Sequence, residues 1–188
     1  MIVNTDGSAT NNGWENAKGG IGVWYGDGSR RNIALKIETH HDKPPSNSRA
    51  ELSAILETLR RNEIDDLLIQ SDSLTSLNAI CKDSLKYKDQ AWNGVQNSDL
   101  LKGILIWLRT RPAQTEFQRV KGHNENNYRN SRADVLADEG REQDIPVEMD
   151  SEEWLDGHPT IQDGARLQAL EAKHTYSAIV RWHTKKTK

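Results

Sequence analysis

The chain has 188 residues, of which 35% are apolar and 28% charged, with a formal net charge of -3. That length suits one domain with its own core plus an appendage, and is too short for two full catalytic domains. No apolar run approaches the roughly 18 residues of a membrane span. The N-terminal stretch MIVNTDGS has neither the basic nor the apolar region of a secretory signal. The single cysteine, Cys81, excludes an intramolecular disulfide framework and a cysteine-based zinc cluster. The expectation is an intracellular protein of the cytoplasm or nucleus, not secreted and with no membrane partner.

Charge is uneven along the chain. Residues 1–142 carry 19 Lys and Arg against 20 Asp and Glu, and residues 143–156 carry six acids and no base. A nucleic-acid partner would therefore need local basic patches, with some carboxylates neutralised by another agent.

Residues 2–5 read as a short buried strand ending at the turn-forming Asp6-Gly7-Ser8. Residues 21–25 form a second strand, and Gly26-Asp27-Gly28-Ser29 a hairpin turn. Residues 32–39 alternate Ile33, Leu35 and Ile37 against Lys36 and Glu38, a half-buried third strand. Leu52, Ile55, Leu56 and Leu59 set the stripe of a first helix, with Ser48 and Glu51 spaced as a capping box. Residues 67–70 form a fourth strand. Leu74, Leu77, Ile80 and Cys81 mark a second helix. Leu101, Ile104, Leu105 and Leu108 mark a third, from near Asn97-Ser98 to just before Pro112. Residues 115–120 form a fifth strand. Ala133, Leu136 and Ala137 lie on a fourth helix closed by Gly140. Short turns join the early strands and helices join the later ones, which predicts an α/β fold. Its mixed five-stranded sheet would have three antiparallel strands and two parallel ones, flanked by helices. Residues 1–142 form the domain. Residues 143–188 read as an acidic linker plus a C-terminal helical extension, packed on the domain or trailing from it, with Leu167, Leu170 and Ile179 apolar.

Four carboxylates sit at the ends of predicted elements. Asp6 ends strand one, Glu51 lies in the first turn of the first helix, Asp72 ends strand four, and Asp134 lies in the first turn of the fourth helix. Each has a purely structural reading: an Asx-turn, a capping box, an N-cap, and a helix-dipole partner. Strands one and four are neighbours in such a sheet, and ligands collect where its strand order switches. The four acids would then converge, and close carboxylates need a hard cation such as Mg²⁺. A pair of such ions is the apparatus of in-line displacement at a phosphodiester.

The segments TDGS (residues 5–8), NSRAEL (47–52), QSDS (70–73) and VKGHNENNYRNSRADVLA (120–137) together resemble type 1 ribonuclease H. The resemblance spans about residues 1–142. It implies the RNase H-like fold, with Asp6, Glu51, Asp72 and Asp134 as catalytic residues and as ligands of two Mg²⁺ (or Mn²⁺) ions. It also implies hydrolysis of the RNA strand of RNA–DNA hybrids to 5′-phosphate and 3′-hydroxyl ends. His123, after Val120-Lys121-Gly122 and eleven residues before Asp134, would be the mobile catalytic histidine. Gly7, Ser8, Asn12, Asn47 and Ser48 would face the hybrid's minor groove, with its 2′-hydroxyls. Arg49 could contact phosphate or cap local structure. Trp92 would stack on a sugar of the DNA strand or pack beneath its loop.

The basic region between the second and third helices holds Lys82, Lys86 and Lys88, diluted by Asp83 and Asp89. That weakened handle suits a retroelement-like domain, with a reverse transcriptase domain of the same polyprotein as a further partner. Two alternatives remain at this stage: a related nuclease acting on DNA, and a catalytically silent, connection-like scaffold.

Overall fold

The computed structural model describes residues 1–147 except 13, 15, 39–42, 123–126 and 145. The helix read from Leu167, Leu170 and Ile179 lies outside the described residues, as does most of the segment after residue 142. Among the described residues no helix is long and apolar enough to cross a membrane.

The strands are β1 (Ile2–Thr10), β2 (Lys18–Trp24), β3 (Ile33–Ile37), β4 (Leu67–Ser71), β5 (Thr115–Arg119) and a two-residue β6 (Pro146–Val147). They lie in the order β5-β4-β1-β2-β3-β6. β1, β2 and β3 pair antiparallel, while β1–β4 and β4–β5 are parallel. This is the mixed five-stranded sheet expected, with β6 added parallel to the β3 edge. The short β6 comes from the segment read as a linker, whose polar composition carries no strand period.

The helices are α1 (Asn47–Arg60), α2 (Leu74–Asn78), α3 (Ser84–Asp89), α4 (Ser98–Thr110) and α5 (Tyr128–Arg141). A wider π turn over Ala79–Asp83 joins α2 to α3, so the Leu74–Cys81 stripe is one continuous path with a local unwinding. Ile55, Leu59, Leu77, Ile80, Leu100 and Ile104 are fully buried with Val3, Ile21, Val23 and Ile69. These residues make the apolar core between the sheet and α1, α2 and α4.

Four local expectations are corrected. β1 does not end at Asp6: its pairing with β4 is recorded only to Asn4, but its ladder with β2 runs on to Thr10. The Asp-Gly-Ser run is strand, not turn. Gly7 is required because a Cβ there would collide with Glu51 N and come within 2.5 Å of Ala50 C. The α1 cap is Ser46, whose hydroxyl accepts from Arg49 N–H at 3.2 Å, so Glu51 is freed from capping and sits two residues further in. α5 begins at Tyr128, which places Asp134 in its second turn rather than at the dipole end. Gly140 lies inside α5, where its Cα meets the Leu35 backbone; a Cβ would lie 2.6 Å from Leu35 N and O.

Candidate active site

β1 alternates its side chains across the sheet. Val3, Thr5 and Gly7 face α1. Asn4, Asp6 and Ser8 face α5, opposite Trp24, Gly22 and Gly20 of β2. Asp6 therefore projects from mid-strand just past the recorded end of β1's pairing with β4. Asp72 follows the last residue of β4. α1 brings Glu51 over Gly7, and α5 brings Asp134 over β1 and β2. α5 can lie this close because Gly20 and Gly22 offer bare backbone. A Cβ at Gly22 would collide with the Ala133 carbonyl and lie 2.5 Å from Ala137 N.

The result is a cleft of about 300 Å³ lined by Asp6, Gly7, Ser8, Ala9, Asn47, Glu51, Asp72, Asn130, Ser131 and Asp134. Asp6, Glu51 and Asp72 each offer an oxygen within 4.8 Å of the other two. Asp134 lines the same cleft, close enough for its charge to act on Asp6. Burial, then the charges of Asp72 and Asp134, push the Asp6 carboxyl up to about 8. Burial, then Asp6 and Asp72, hold Glu51 well above the ordinary carboxylate range, opposed only by a hydrogen bond from the Gly7 backbone. Glu51 Oε2 is buried with no hydrogen-bond partner among the described residues. An orphaned buried carboxylate oxygen inside a crowded set of all-oxygen donors fits a hard divalent cation.

Asp72 is braced from two sides. Asn130 Nδ2 donates to its Oδ2 at 3.2 Å. The Gly122 backbone packs so closely on the same carboxylate that a side chain there would collide with it. Asn130 was not singled out from sequence. Its place four residues before Asp134 puts it on the same helix face, and that spacing is the signal that could have found it.

The proposed substrate-facing residues divide. Gly7, Ser8 and Asn47 line the cleft. Ser8 Oγ donates to Asp138 Oδ1 at 2.6 Å and accepts from Arg141 Nη1, which fixes the strand there. Asn12 Oδ1 accepts from Asn47 N–H at 2.9 Å, tying the loop after β1 to the start of α1. Ser48 is exposed on the first turn of α1, outside the cleft lining. Arg49 is 7% exposed, with Nη2 2.8 Å from Asp99 Oδ2 and Nη1 3.3 Å from Asn97 Oδ1. Its guanidinium is thus engaged in binding α1 to α4. Burial works to raise the Asp99 pKa, but Arg49, helped by Lys43, overrides it and holds that carboxyl low. Trp92 is half-buried against the core, with Lys102 Nζ 5.7 Å from its ring centre and Tyr87 beside it. His123 lies outside the described residues.

The fold agrees with the comparisons. The chain matches the RNase H family over residues 1–142, and it belongs to that family. The ribonuclease H of Schizosaccharomyces pombe is 34% identical over 145 residues, covering 74% of this chain and 52% of the relative. That of Chlorobium luteolum is 35% identical over 146 residues, covering 73% and 92%. The chain spans about half the length of its Schizosaccharomyces pombe, Mus musculus and Homo sapiens relatives. Among solved structures, LC9-RNase H1, a type 1 RNase H with the type 2 active-site motif, superposes with a TM-score of 0.62 at 18% identity, covering 87% of this chain and 83% of that one. The foamy viral protease-reverse transcriptase in complex with RNA/DNA hybrid gives 0.61 at 16% identity, covering 75% and 20%. These two share the fold.

Proposed function

We propose that this protein is a divalent-metal-dependent endoribonuclease that cuts the RNA strand of RNA–DNA hybrids. The observation that carries this reading is the convergence of Asp6, Glu51, Asp72 and Asp134 in one cleft, from two strands of the sheet and two helices. Family membership supports the substrate class, since the relatives matched are named ribonuclease H.

The four carboxylates would hold the metal, Mg²⁺ or Mn²⁺, as two ions. Bound there, such ions supply Lewis acidity and lower the pKa of water, giving 5′-phosphate and 3′-hydroxyl ends. The chain's own groups do the rest. Asn130 holds Asp72 in one orientation. Gly7, Ser8 and Asn47 present polar groups at the rim, where the hybrid's 2′-hydroxyls would bind. Asn12 and Ser48 flank that rim, and Arg49 acts through the placement of α1. Trp92 would supply the contact to the DNA strand. His123 would move a proton at the site. The foamy virus likeness supports a second element of the reading, action beside a reverse transcriptase domain of one polyprotein.

The test is cleavage of an end-labelled hybrid in Mg²⁺ and in Mn²⁺, with duplex DNA alongside. Hybrid cleavage that falls on the order of 10³-fold in Asp72→Asn is the expected result. Intact hybrid with wild-type protein, or equal cutting of duplex DNA, overturns the reading.

A further inference from the structure

Three side chains between α5 and the β1–β2 pair are buried without using all their hydrogen-bonding groups. Asn4 is 0% exposed, and neither its Nδ2 nor its Oδ1 has a partner among the described residues. Trp24, its register partner across β2, is 7% exposed with Nε1 unpartnered. Asn130 is 4% exposed; it gives Nδ2 to Asp72 and leaves Oδ1 unpartnered.

The topology brings these groups together. Asn4 and Asp6 point to the same side of β1, two residues apart. The first turns of α5 cross this region, with Ala133 over Gly22 and the Tyr128 ring edge-on to Trp24 at 6.1 Å. Asn130 lies between those two contacts and reaches across to Asp72. Its orientation is not free. A carboxylate only accepts, so the amide nitrogen must face Asp72 and the amide oxygen must point away. The groups left over are N–H donors on Asn4 and Trp24 and carbonyl acceptors on Asn4 and Asn130. Buried polar groups are seldom left unpaired. A water molecule accepts two hydrogen bonds and donates two, so one water complements this set.

We propose that Asn4, Trp24 and Asn130 enclose an ordered water beneath Asp6 and Asp72, and that this water locks the Asn130 amide against Asp72. Asn4 and Trp24 are then positioning residues for the carboxylate cluster, acting through Asn130. The hydration site stands on the buried groups alone, while its catalytic consequence rests on the proposed metal-dependent cleavage. Partners one layer behind metal ligands typically change metal affinity ten- to a hundredfold when removed.

The first measurement uses the full chain, ¹⁵N-labelled and metal-free. The Trp24 indole N–H, assigned by its disappearance in Trp24→Phe, shows magnetisation transfer to a long-lived water. Asn4→Leu, similar in size and apolar, removes that transfer. It weakens Mn²⁺ binding by calorimetry about tenfold and lowers kcat on hybrid with little change in KM. Asn4→Ser, which keeps a hydroxyl for the water, restores most of both. Should Asn4→Leu fail to fold, Trp24→Phe carries the same comparison of metal affinity. Absence of the water signal in wild type overturns the proposal, as does wild-type Mn²⁺ affinity in the variant that has lost it. Wild-type protein that holds the water but neither binds Mn²⁺ nor cuts hybrid overturns the proposed function together with the positioning role, and leaves only the hydration site.

Discussion

The two sides of β1 are built on different principles. Toward α1 the strand offers the buried Thr5 and Val3, which packs with Ile21, Val23, Ile55 and Leu59 in the apolar core. Toward α5 it offers Asn4, Asp6 and Ser8, and the helix above contributes mainly small or polar buried groups: Asn130, Ala133, Ala137 and Gly140. Stability comes from apolar area on the first side. On the second side little such area exists, and like charges are pressed together at an electrostatic cost. That side is held by close backbone approach at Gly20, Gly22 and Gly140. One strand thus separates the work of folding from the work of the site.

The largest expected effect lies on the α1 side, at a deeply buried ion pair. Arg49 and Asp99 are both nearly enclosed, with side chains 8% and 9% exposed. Arg49→Met leaves Asp99 buried with the longer contact to Lys43 at 3.8 Å and the Leu100 backbone N–H. The expected loss is about 3–5 kcal/mol in urea denaturation, with most of it recovered in Arg49→Met/Asp99→Leu. A variant that keeps its stability but raises KM for hybrid would instead make Arg49 a phosphate contact.

The α5 side predicts an unusual pH response. The Asp6 carboxyl is raised to about 8 in the folded protein, against an ordinary 3.8, and Glu51 is raised in the same direction. Between these values the metal-free folded state binds more protons than the unfolded chain. The stability that those protons supply is therefore full below the ordinary carboxylate range and is lost as pH climbs through about 8. The melting temperature in chelator should fall between about pH 5 and about pH 8.5, reflecting a loss on the order of a few kcal/mol. Asp6→Asn should flatten that fall. Mn²⁺ should reverse it, because the metal binds the ionised form. A chelated protein whose stability does not change with pH would show that the two faces do not differ electrostatically in this way.

Much of this contrast was legible in the sequence, and the missing parts have physical causes. Periodicity located all five main strands and the long helices, since apolar spacing directly reports which residues face a core. Element order and the surrounding motifs single out all four acids. Their local settings are not legible in the same way, for separate reasons. Asp6-Gly7-Ser8 has turn composition, but the length of β1 is set by its distant partner β2. Ser46 and Ser48 are both capable caps, and only the fold chooses between them. The start of α5 carries no apolar stripe before Ala133, so its first turn was invisible and Asp134 was placed one turn too early. Asn4 looks like an ordinary strand residue until α5 is seen to bury it.

Glycine gives the sharpest comparison of the two sides. Gly22→Ala drives a methyl group into α5, lifting Ala133 and with it Asn130 and Asp134. Overpacking of this kind costs about 1–3 kcal/mol, and hybrid cleavage should fall by more than the stability loss alone explains. Ala at Gly103 should do the reverse. Gly103 lies mid-helix in α4, and a Cβ there would meet Leu56 Cδ2 at 3.4 Å and Cδ1 at 3.5 Å, ordinary contact distances with the tip of one side chain. The methyl group fits without moving backbone, and Ala is favoured over Gly inside a helix by about 0.5–1 kcal/mol. Gly103→Ala is therefore expected to raise the denaturation midpoint by that small amount and leave cleavage unchanged. If it lowers the midpoint instead, the α1–α4 contact is as strict as the α5 contact, and the apolar side has no more slack than the side that carries the acids.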